Sequence, residues 1–372
     1  MTAPIPRLPT KTYPDHHKPH VAVILGAGFS RCAGLPLQAQ FADELLTDDP
    51  DDRRNQLITT AIESFLTFTF GWKRGTPLPA LEDIFTMIDL SAGTGHALGT
   101  LNTPRRLRAL RRMLIHRVFS ILDRRFHHAP EIQVLLERIF ACDFNPSFVV
   151  LNWDIVLERH LQWMGRAFDY QADEFPWNGM PRTSGTVTRL IKVHGSANWV
   201  YCDNCRQVFS DDDIKLALHI NAGLLDDDFK LFDKRWPDHG IARSTGHANR
   251  DCPRCRAPVG PHIATFSYRK SFRSAAFAQS WAKAEEVLSA ANRWLFVGYS
   301  LPHADYEFTH LLKTAELKLA RLDLRPIAID VVLKNDRAAE ARYRQMFGGA
   351  IARVAQSGLD AYVKRDLRRF LA

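Results

Sequence analysis

Four short polar segments carry the chemistry that this sequence suggests, and each directly follows an apolar run. They are Gly26-Ala27-Gly28-Phe29-Ser30, Asn152-Trp153-Asp154, His194-Gly195-Ser196 and Gly298-Tyr299-Ser300. Glycines after a strand let the backbone approach a phosphate, while amide, carboxylate and imidazole groups can orient a substrate and move a proton. Each segment alone is a weak signal, because an Asn or Asp after a strand usually caps a helix and a lone His is more often structural. Together the four segments indicate a nucleotide site.

The glycine spacing in the first segment excludes the ordinary dinucleotide fingerprint. After Gly26 and Gly28 that fingerprint needs a third glycine where Arg31 stands, and the next glycine is Gly34. A nicotinamide dehydrogenase of the usual kind therefore fits poorly. The loop still predicts a turn that leads into a helix and points its free N–H groups at a phosphate.

Four of the six cysteines form two Cys-x-x-Cys pairs, Cys202 with Cys205 and Cys252 with Cys255. Four thiolates in two such pairs are typical of a tetrahedral structural zinc site, which has no open position for water and supports folding rather than catalysis. The pairs are farther apart than in a usual zinc ribbon, so we expect an insertion within 210–249. Metal-free thiols and a redox pair are the alternatives.

The elements that position these segments are read from apolar periodicity. Strands buried on both faces are short, nearly continuous apolar runs, and such runs occur at 21–25, 148–151, 190–193, 294–297 and 327–333. Helical periodicity occurs at 37–46, 276–290 and 306–317. The alternation predicts an α/β fold with a Rossmann-like parallel sheet and helices on both faces. The carboxyl ends of parallel strands meet at one edge, where the four polar segments would converge.

The expected domain organisation is an N-terminal tail over 1–19 and one nucleotide-binding domain over 20–372. Two segments interrupt that domain: a helical insertion over 48–142 and a zinc-ribbon module with a long insert over 200–265. No apolar stretch approaches the roughly 20 residues that cross a bilayer, and the first residues lack the apolar core of a signal peptide. We therefore expect a cytoplasmic protein without a membrane partner.

The net charge of +8 is modest for 372 residues, and part of it lies on one helix of the insertion. That helix carries the arginines Arg105, Arg106, Arg108, Arg111, Arg112, Arg117, Arg124 and Arg125. A solvated helix face is the simpler interpretation of this pattern. A surface for nucleic acid or for an acidic partner is the alternative, because clustered arginines are also an electrostatic footprint.

The order of these motifs resembles that of sirtuins and sirtuin-like proteins, over roughly residues 20–335. The glycine loop continues as Gly34-Leu35-Pro36, and the helical insertion contains Leu81-Glu82-Asp83-Ile84. In these two features the chain is most similar to the bacterial sirtuin-like enzymes of anti-phage systems, which hydrolyse NAD+. The resemblance implies a Rossmann-type sheet with a small zinc module, and NAD+ as the substrate.

The resemblance also assigns roles to residues. Three would serve the reaction, with Asn152 and Asp154 at the nicotinamide and its ribose and His194 as the catalytic base. The others would bind the phosphates and the adenosine side of NAD+: Gly26, Ala27, Gly28, Ser30, Gly298, Ser300 and Asn335. A loop or cap role is the alternative for Asn335.

The residues after Gly34-Leu35-Pro36 bear on which reaction follows binding. Deacylases of this family continue with Asp-Phe-Arg, whereas this chain has Leu37-Gln38-Ala39. The difference favours hydrolysis of NAD+ to ADP-ribose and nicotinamide, by an effector that depletes NAD+ in anti-phage defence. The cysteine pairs, common in deacylases, favour an NAD-dependent protein deacylase or ADP-ribosyltransferase instead. A nucleotide-sensing or nucleic-acid-binding module without turnover is the third hypothesis.

A constitutive NAD+ hydrolase would kill its host, so we expect its activity to stay low until a partner or a ligand binds. The resemblance implies a homo-oligomer and a partner protein such as a HerA-type ATPase or a short Argonaute. The arginine-rich helix over 105–125 is the candidate contact surface for a protein or a nucleic acid.

Overall fold

Strands and helices alternate along the part of the chain that the structure, a computed structural model, describes. The described residues are 11–12, 18–47, 52–172, 174–177, 185–213, 224–237, 251–257, 259–263, 275–321 and 328–371. The strands are β1 (Lys11–Thr12), β2 (His20–Leu25), β3 (Asn145–Val150), β4 (Phe168–Asp169), β5 (Phe175–Pro176), β6 (Gly185–Thr186), β7 (Thr188–Lys192), β8 (Gly195–Cys202), β9 (Gln207–Ser210), β10 (Val259–Ile263), β11 (Arg293–Val297), β12 (Ala328–Val332) and β13 (Ile351–Ala355). The helices are α1 (Ala27–Ser30), α2 (Gln38–Leu45), α3 (Arg53–Phe70), α4 (Leu81–Thr94), α5 (Pro104–Arg125), α6 (Pro130–Phe140), α7 (Val156–Trp163), α8 (Asp226–Lys230), α9 (Ala275–Ala290), α10 (Tyr306–Arg321), α11 (Arg337–Phe347), α12 (Leu359–Arg365) and α13 (Leu367–Leu371).

The central sheet has seven strands in the order β13-β12-β11-β2-β3-β7-β4. Every neighbouring pair in it is parallel. Apart from the short edge strand β4, this is the 3-2-1-4-5-6 order of doubly wound nucleotide-binding sheets. The order reverses between β2 and β11, and the crevice beyond the carboxyl ends of these two strands is where such sheets bind ligands.

Apolar side chains of β2 alternate between the two faces of the sheet. Val21, Val23 and Leu25 belong to a core that includes buried residues of α3, α5 and α6. Ala22 and Ile24 belong to a second core, formed with α9, α10 and α11. Both faces of the sheet are therefore covered by helices, and the predicted fold class is confirmed.

The helices α3 to α6 fill the connection between β2 and β3, as expected for a helical insertion. Half of the arginines expected on a solvated face of α5 are exposed, namely Arg105, Arg108, Arg124 and Arg125, and several of the eight also bond to other elements. Arg117 is buried and donates to the carbonyl oxygens of Thr47 and Asn55. Further pairs are Arg111 with Asp89, Arg112 with Asp228, Arg105 with Asp227, and Arg124 and Arg125 with Glu44. These contacts hold the insertion together and weaken the case for a nucleic-acid surface on α5.

A second, four-stranded sheet has the order β10-β8-β9-β5. Its strand β8 begins three residues after β7 of the central sheet ends. Within it β8 pairs antiparallel with both β9 and β10. Parts of the tail over 1–19 and of the insert expected within 210–249 lie outside the described residues. In the described part of the chain, the helices are too short or too polar to cross a membrane.

Candidate functional site

The loops that follow β2 and β11 touch each other through their backbones. The N–H of Gly26 donates to the carbonyl of Val297 over 3.0 Å, and the N–H of Gly28 donates to that of Gly298 over 2.8 Å. A Cβ atom on Gly28 would lie 2.7 Å from the Cα of Gly298, and one on Gly26 would lie 2.5 Å from the Cα of Tyr299. These glycines are required because two loops must pack without side chains between them.

The same contacts change the expected role of the glycine loop. The N–H groups of Gly26 and Gly28 donate across to the β11 side, and that of Phe29 donates to the carbonyl of Gly26 over 2.9 Å. These three groups are therefore used within the protein and do not point freely at a phosphate. Ala27, at the exposed start of the short helix α1, is the part of the loop that reaches furthest into solvent.

Asn152 connects the loop after β3 to the glycine loop. Its side-chain amide donates to the carbonyl of Gly26 over 2.9 Å and to the hydroxyl of Ser30 over 3.0 Å. The amide nitrogen is thus occupied, so the group that Asn152 can offer a ligand is its side-chain oxygen.

Asp154 is buried at the start of α7. Its carboxylate accepts from the N–H of Val156 over 3.1 Å and bonds with the hydroxyl of Ser30. Burial raises the pKa of Asp154 above its usual range, an effect that the nearby charge of Lys192 opposes. Asp154 therefore binds the first N–H group of α7 and also lines the cavity described below.

His194 lies two residues beyond β7 and is 7% exposed. Its Nδ1 atom is 3.0 Å from the carbonyl oxygen of Leu151, and its Nε2 atom is 3.2 Å from the carboxylate of Asp305. Trp281 donates to the adjacent carbonyl of Val193 over 2.9 Å and helps to fix this turn. Both ring nitrogens therefore have a protein partner, which the sequence did not indicate.

Lys192 is a buried residue near the site that the sequence analysis did not single out. It is fully buried in β7, pairs with Glu158 over 3.1 Å and donates to the backbone carbonyl of Asp154. Tyr170 also donates to Glu158, over 3.1 Å. A lysine within the apolar run over 190–193 was the available signal, because a buried charge needs a partner.

A cavity of about 630 Å³ opens over the carboxyl ends of these strands. All predicted substrate and catalytic residues line it except Asn335. The helical insertion contributes Glu82, Val118, Leu122 and Glu131 to its wall, and the segments after β12 and β13 contribute Lys334, Asp336, Gly358 and Asp360. Asp305 and Tyr299 line it as well.

Asn335 lies beside the cavity and does not line it. It is exposed, adopts a left-handed backbone with φ 53°, and donates its N–H to the carbonyl of Gln356 over 3.1 Å. Its neighbours Lys334 and Asp336 line the cavity and Asn335 does not. The loop interpretation of Asn335 therefore fits the structure better than the ribose contact.

The two cysteine pairs come together at the ends of β8 and β10. The sulfur atoms of Cys202, Cys205, Cys252 and Cys255 all lie within 4.8 Å of one another. Arg206 and Arg256, each directly after the second cysteine of a pair, share a left-handed backbone with φ 56° and 64°. The donor set and the matching turns fit a tetrahedral zinc ion held by four thiolates.

Comparisons with known proteins place the chain near solved Sir2 structures at low identity. A mutant Sir2 homologue in complex with ADP-ribose is 12% identical, with 95% of this chain and 92% of that chain covered and a TM-score of 0.43. Sir2 with a p53 peptide and NAD+ is also 12% identical, covers 95% and 94%, and has a TM-score of 0.41. No protein-family model and no curated protein matches the chain. Similarity this low carries no argument, so the residues of this chain must carry the functional conclusion.

Proposed function

We propose that the protein hydrolyses NAD+ at the bond between nicotinamide and ribose. The observation that carries the proposal is one cavity at the switch point of the sheet, lined together by the glycine loops, Asn152, Asp154 and His194. Its volume of about 630 Å³ lies in the range of small-molecule sites. In a doubly wound sheet the switch point is also where nucleotides bind.

The reaction requires geometry more than a strong acid, because nicotinamide leaves as a neutral molecule. The oxygen of water bonds to the C1′ atom of the ribose, and the electron pair of the C1′–N bond leaves with nicotinamide. The carboxylate of Asp154 can stabilise the positive charge that develops on the sugar, and the side-chain oxygen of Asn152 can orient nicotinamide or water. His194 takes the proton that water loses.

The walls of the cavity favour a small substrate over an acylated peptide. Helices α4, α5 and α6 of the insertion each contribute residues to the lining, among them Glu82, Leu122 and Glu131. The insertion therefore surrounds the space beside the reacting groups. From the resemblance to the sirtuin-like enzymes of anti-phage systems, we also propose that the chain depletes NAD+ as a defence effector. We propose that it acts in the cytoplasm as an oligomer and that a partner protein controls it.

NAD-dependent deacylation is the second candidate, and the four-cysteine cluster favours it. Zinc modules of this type accompany the deacylases that the sequence resembles. The cluster lies in the small sheet and braces it, whereas the segment from Gly26 to Leu37 borders the cavity itself. We therefore give the loop more weight than the zinc site in choosing between the two reactions.

One incubation separates these functions. Pure protein is mixed with NAD+, with and without an acetylated peptide, and the products are identified by mass spectrometry. ADP-ribose formed without peptide supports hydrolysis, acetyl-ADP-ribose formed only with peptide supports deacylation, and binding without products supports a sensing module. His194→Ala and Asn152→Ala should each abolish the activity, whereas Asn335→Gly should retain it, because glycine accepts the left-handed backbone and Asn335 does not line the cavity.

A further inference from the structure

The ring of His194 lies between a backbone carbonyl and the carboxylate of Asp305. Nδ1 of His194 lies 3.0 Å from the carbonyl oxygen of Leu151, which can only accept, so a hydrogen bond there requires a proton on Nδ1. Nε2 lies 3.2 Å from Oδ1 of Asp305 and forms an ion pair with it when the ring is protonated. Both ring nitrogens therefore face an acceptor.

Tyr299 extends this pair into a chain of three groups. Its hydroxyl donates to Oδ2 of Asp305 over 2.8 Å. Burial, followed by the charge of Asp305, raises the pKa of Tyr299 well above its usual range, so the hydroxyl stays protonated and remains a donor. Hydrogen bonds to a carboxylate favour its ionised form. The hydrogen bond from Tyr299 therefore favours the ionised carboxylate of Asp305, and this negative charge faces Nε2 of His194.

We propose that Asp305 is a positioning residue for NAD+ hydrolysis: it faces Nε2 of His194 and balances the charge that the ring gains in the reaction. The proposal rests on the proposed function, since it assigns a task within that reaction. In the step, an O–H bond of water breaks and its proton bonds to Nε2, while the oxygen bonds to C1′ and nicotinamide leaves. The active form before this step is the ring whose Nε2 carries no proton.

Leu151 and Asp305 act on different nitrogens of the His194 ring. The carbonyl of Leu151 fixes the proton on Nδ1 whatever stands at position 305, so the tautomer does not depend on the carboxylate. What the carboxylate adds is charge, because an opposite charge within hydrogen-bond distance favours the protonated ring. Replacing Asp305 should thus alter proton affinity rather than ring orientation.

Several other charged or polar groups lie near the pair in the part of the chain that the structure describes. Asp154 lines the same cavity, His303 on the turn before Asp305 is exposed, and Arg342 and Tyr343 of α11 bond to the carbonyls of Ser300 and Tyr299. Helix α9 meets the ring through the uncharged Trp281, with ring centroids 6.3 Å apart. The charged residues of α9 pair elsewhere: Lys283 with Glu286, and Glu285 with Lys318.

Two substitutions should move the pH profile of kcat/KM in opposite directions. Asp305→Asn keeps a hydrogen bond to Nε2 but removes the negative charge, so the ascending limb should shift to lower pH by about one unit or more. Tyr299→Phe removes a donor that stabilises the ionised carboxylate, so the pair holds its proton more tightly and the limb should shift to higher pH. We expect kcat of Asp305→Asn to fall by about 10- to 100-fold with KM for NAD+ little changed, because general-base catalysis is worth about 100-fold or more.

Tyr343→Phe is the matched control. It removes an equally buried hydroxyl, which donates to the carbonyl of Tyr299 over 3.0 Å without bonding to Asp305. Its pH profile should match that of the unmodified protein. Equal profiles for Asp305→Asn and the unmodified protein, or shifts of the same sign in Asp305→Asn and Tyr299→Phe, would overturn the proposal.

Nitrogen NMR of the His194 ring tests the pair without turnover. At neutral pH we expect protons on both ring nitrogens in the unmodified protein and on Nδ1 alone in Asp305→Asn. The same single-proton ring in both proteins would contradict the pairing. Absence of NAD+ cleavage by the unmodified protein, with the two-proton ring present, would instead reject the proposed function and leave the pairing intact.

Discussion

Gly298→Ala should separate the two loops that meet at the switch point. Gly298 has φ 64°, and a Cβ atom there would lie 2.2 Å from the N atom of Phe29 and 2.3 Å from the carbonyl carbon of Gly28. The left-handed conformation costs a residue with a side chain about 1 to 2 kcal/mol. Forcing atoms into a packed site adds about 1 to 3 kcal/mol. We therefore expect the free energy of unfolding, measured in urea, to fall by about 2 to 5 kcal/mol.

Gly71→Ala supplies the control for backbone strain. Gly71 ends α3 with φ 65° and has open space around its Cβ position, so the same substitution there should cost about 1 to 2 kcal/mol only. The cavity lies elsewhere, so Gly71→Ala should leave NAD+ binding unchanged, whereas Gly298→Ala should weaken it at least tenfold in calorimetry. Equal losses of stability, with NAD+ affinity unchanged in both variants, would refute the reasoning.

Three further predictions concern stability and metal content. Lys192→Met leaves the buried carboxylate of Glu158 without its positively charged partner and should lower the free energy of unfolding by about 3 to 5 kcal/mol. Glu63→Gln is the control: it breaks the exposed pair with Arg74 and should lower the free energy of unfolding by less than about 1 kcal/mol. Burial lowers the pKa of His116 to about 4, so between pH 6.5 and about 4 the unfolded chain binds a proton that the folded chain does not. Roughly 3 kcal/mol of stability should therefore be lost as the pH falls through this range. Urea titrations at several pH values should show this loss in the unmodified protein and not in His116→Phe. Elemental analysis should find one zinc per chain, and Cys252→Ser should abolish it while the far-ultraviolet spectrum of the central domain persists.

The convergence of Gly28, Asn152 and His194 could be predicted from the sequence. Each follows an apolar run, and parallel strands end at one edge, so no side-chain detail was needed to bring them together. The parallel sheet with helices on both faces also follows from the alternation of strands and helices. The edge strands β4 and β13 were not predicted, because two residues in one and an alternating, partly exposed pattern in the other give no continuous apolar run.

The pairings that tune the site could not be predicted. Asp305 reaches His194 from a turn that begins beyond β11, and nothing in its spacing from Tyr299 indicates that its carboxylate faces an imidazole 111 positions earlier. Arg112 likewise bonds to Asp228, 116 positions later in the chain, and nothing in the row of arginines indicates this partner. Periodicity predicts which face of a helix or strand is apolar. It does not predict which charged residue, distant in the sequence, pairs with a charged side chain on that element.

The most direct test is release of nicotinamide from NAD+ by the purified chain in the absence of any acylated peptide. We predict equal amounts of nicotinamide and ADP-ribose, lost together in His194→Ala and retained in Asn335→Gly. NAD+ that remains intact, or that is consumed only when an acylated peptide is added, would contradict hydrolysis as the activity of this site.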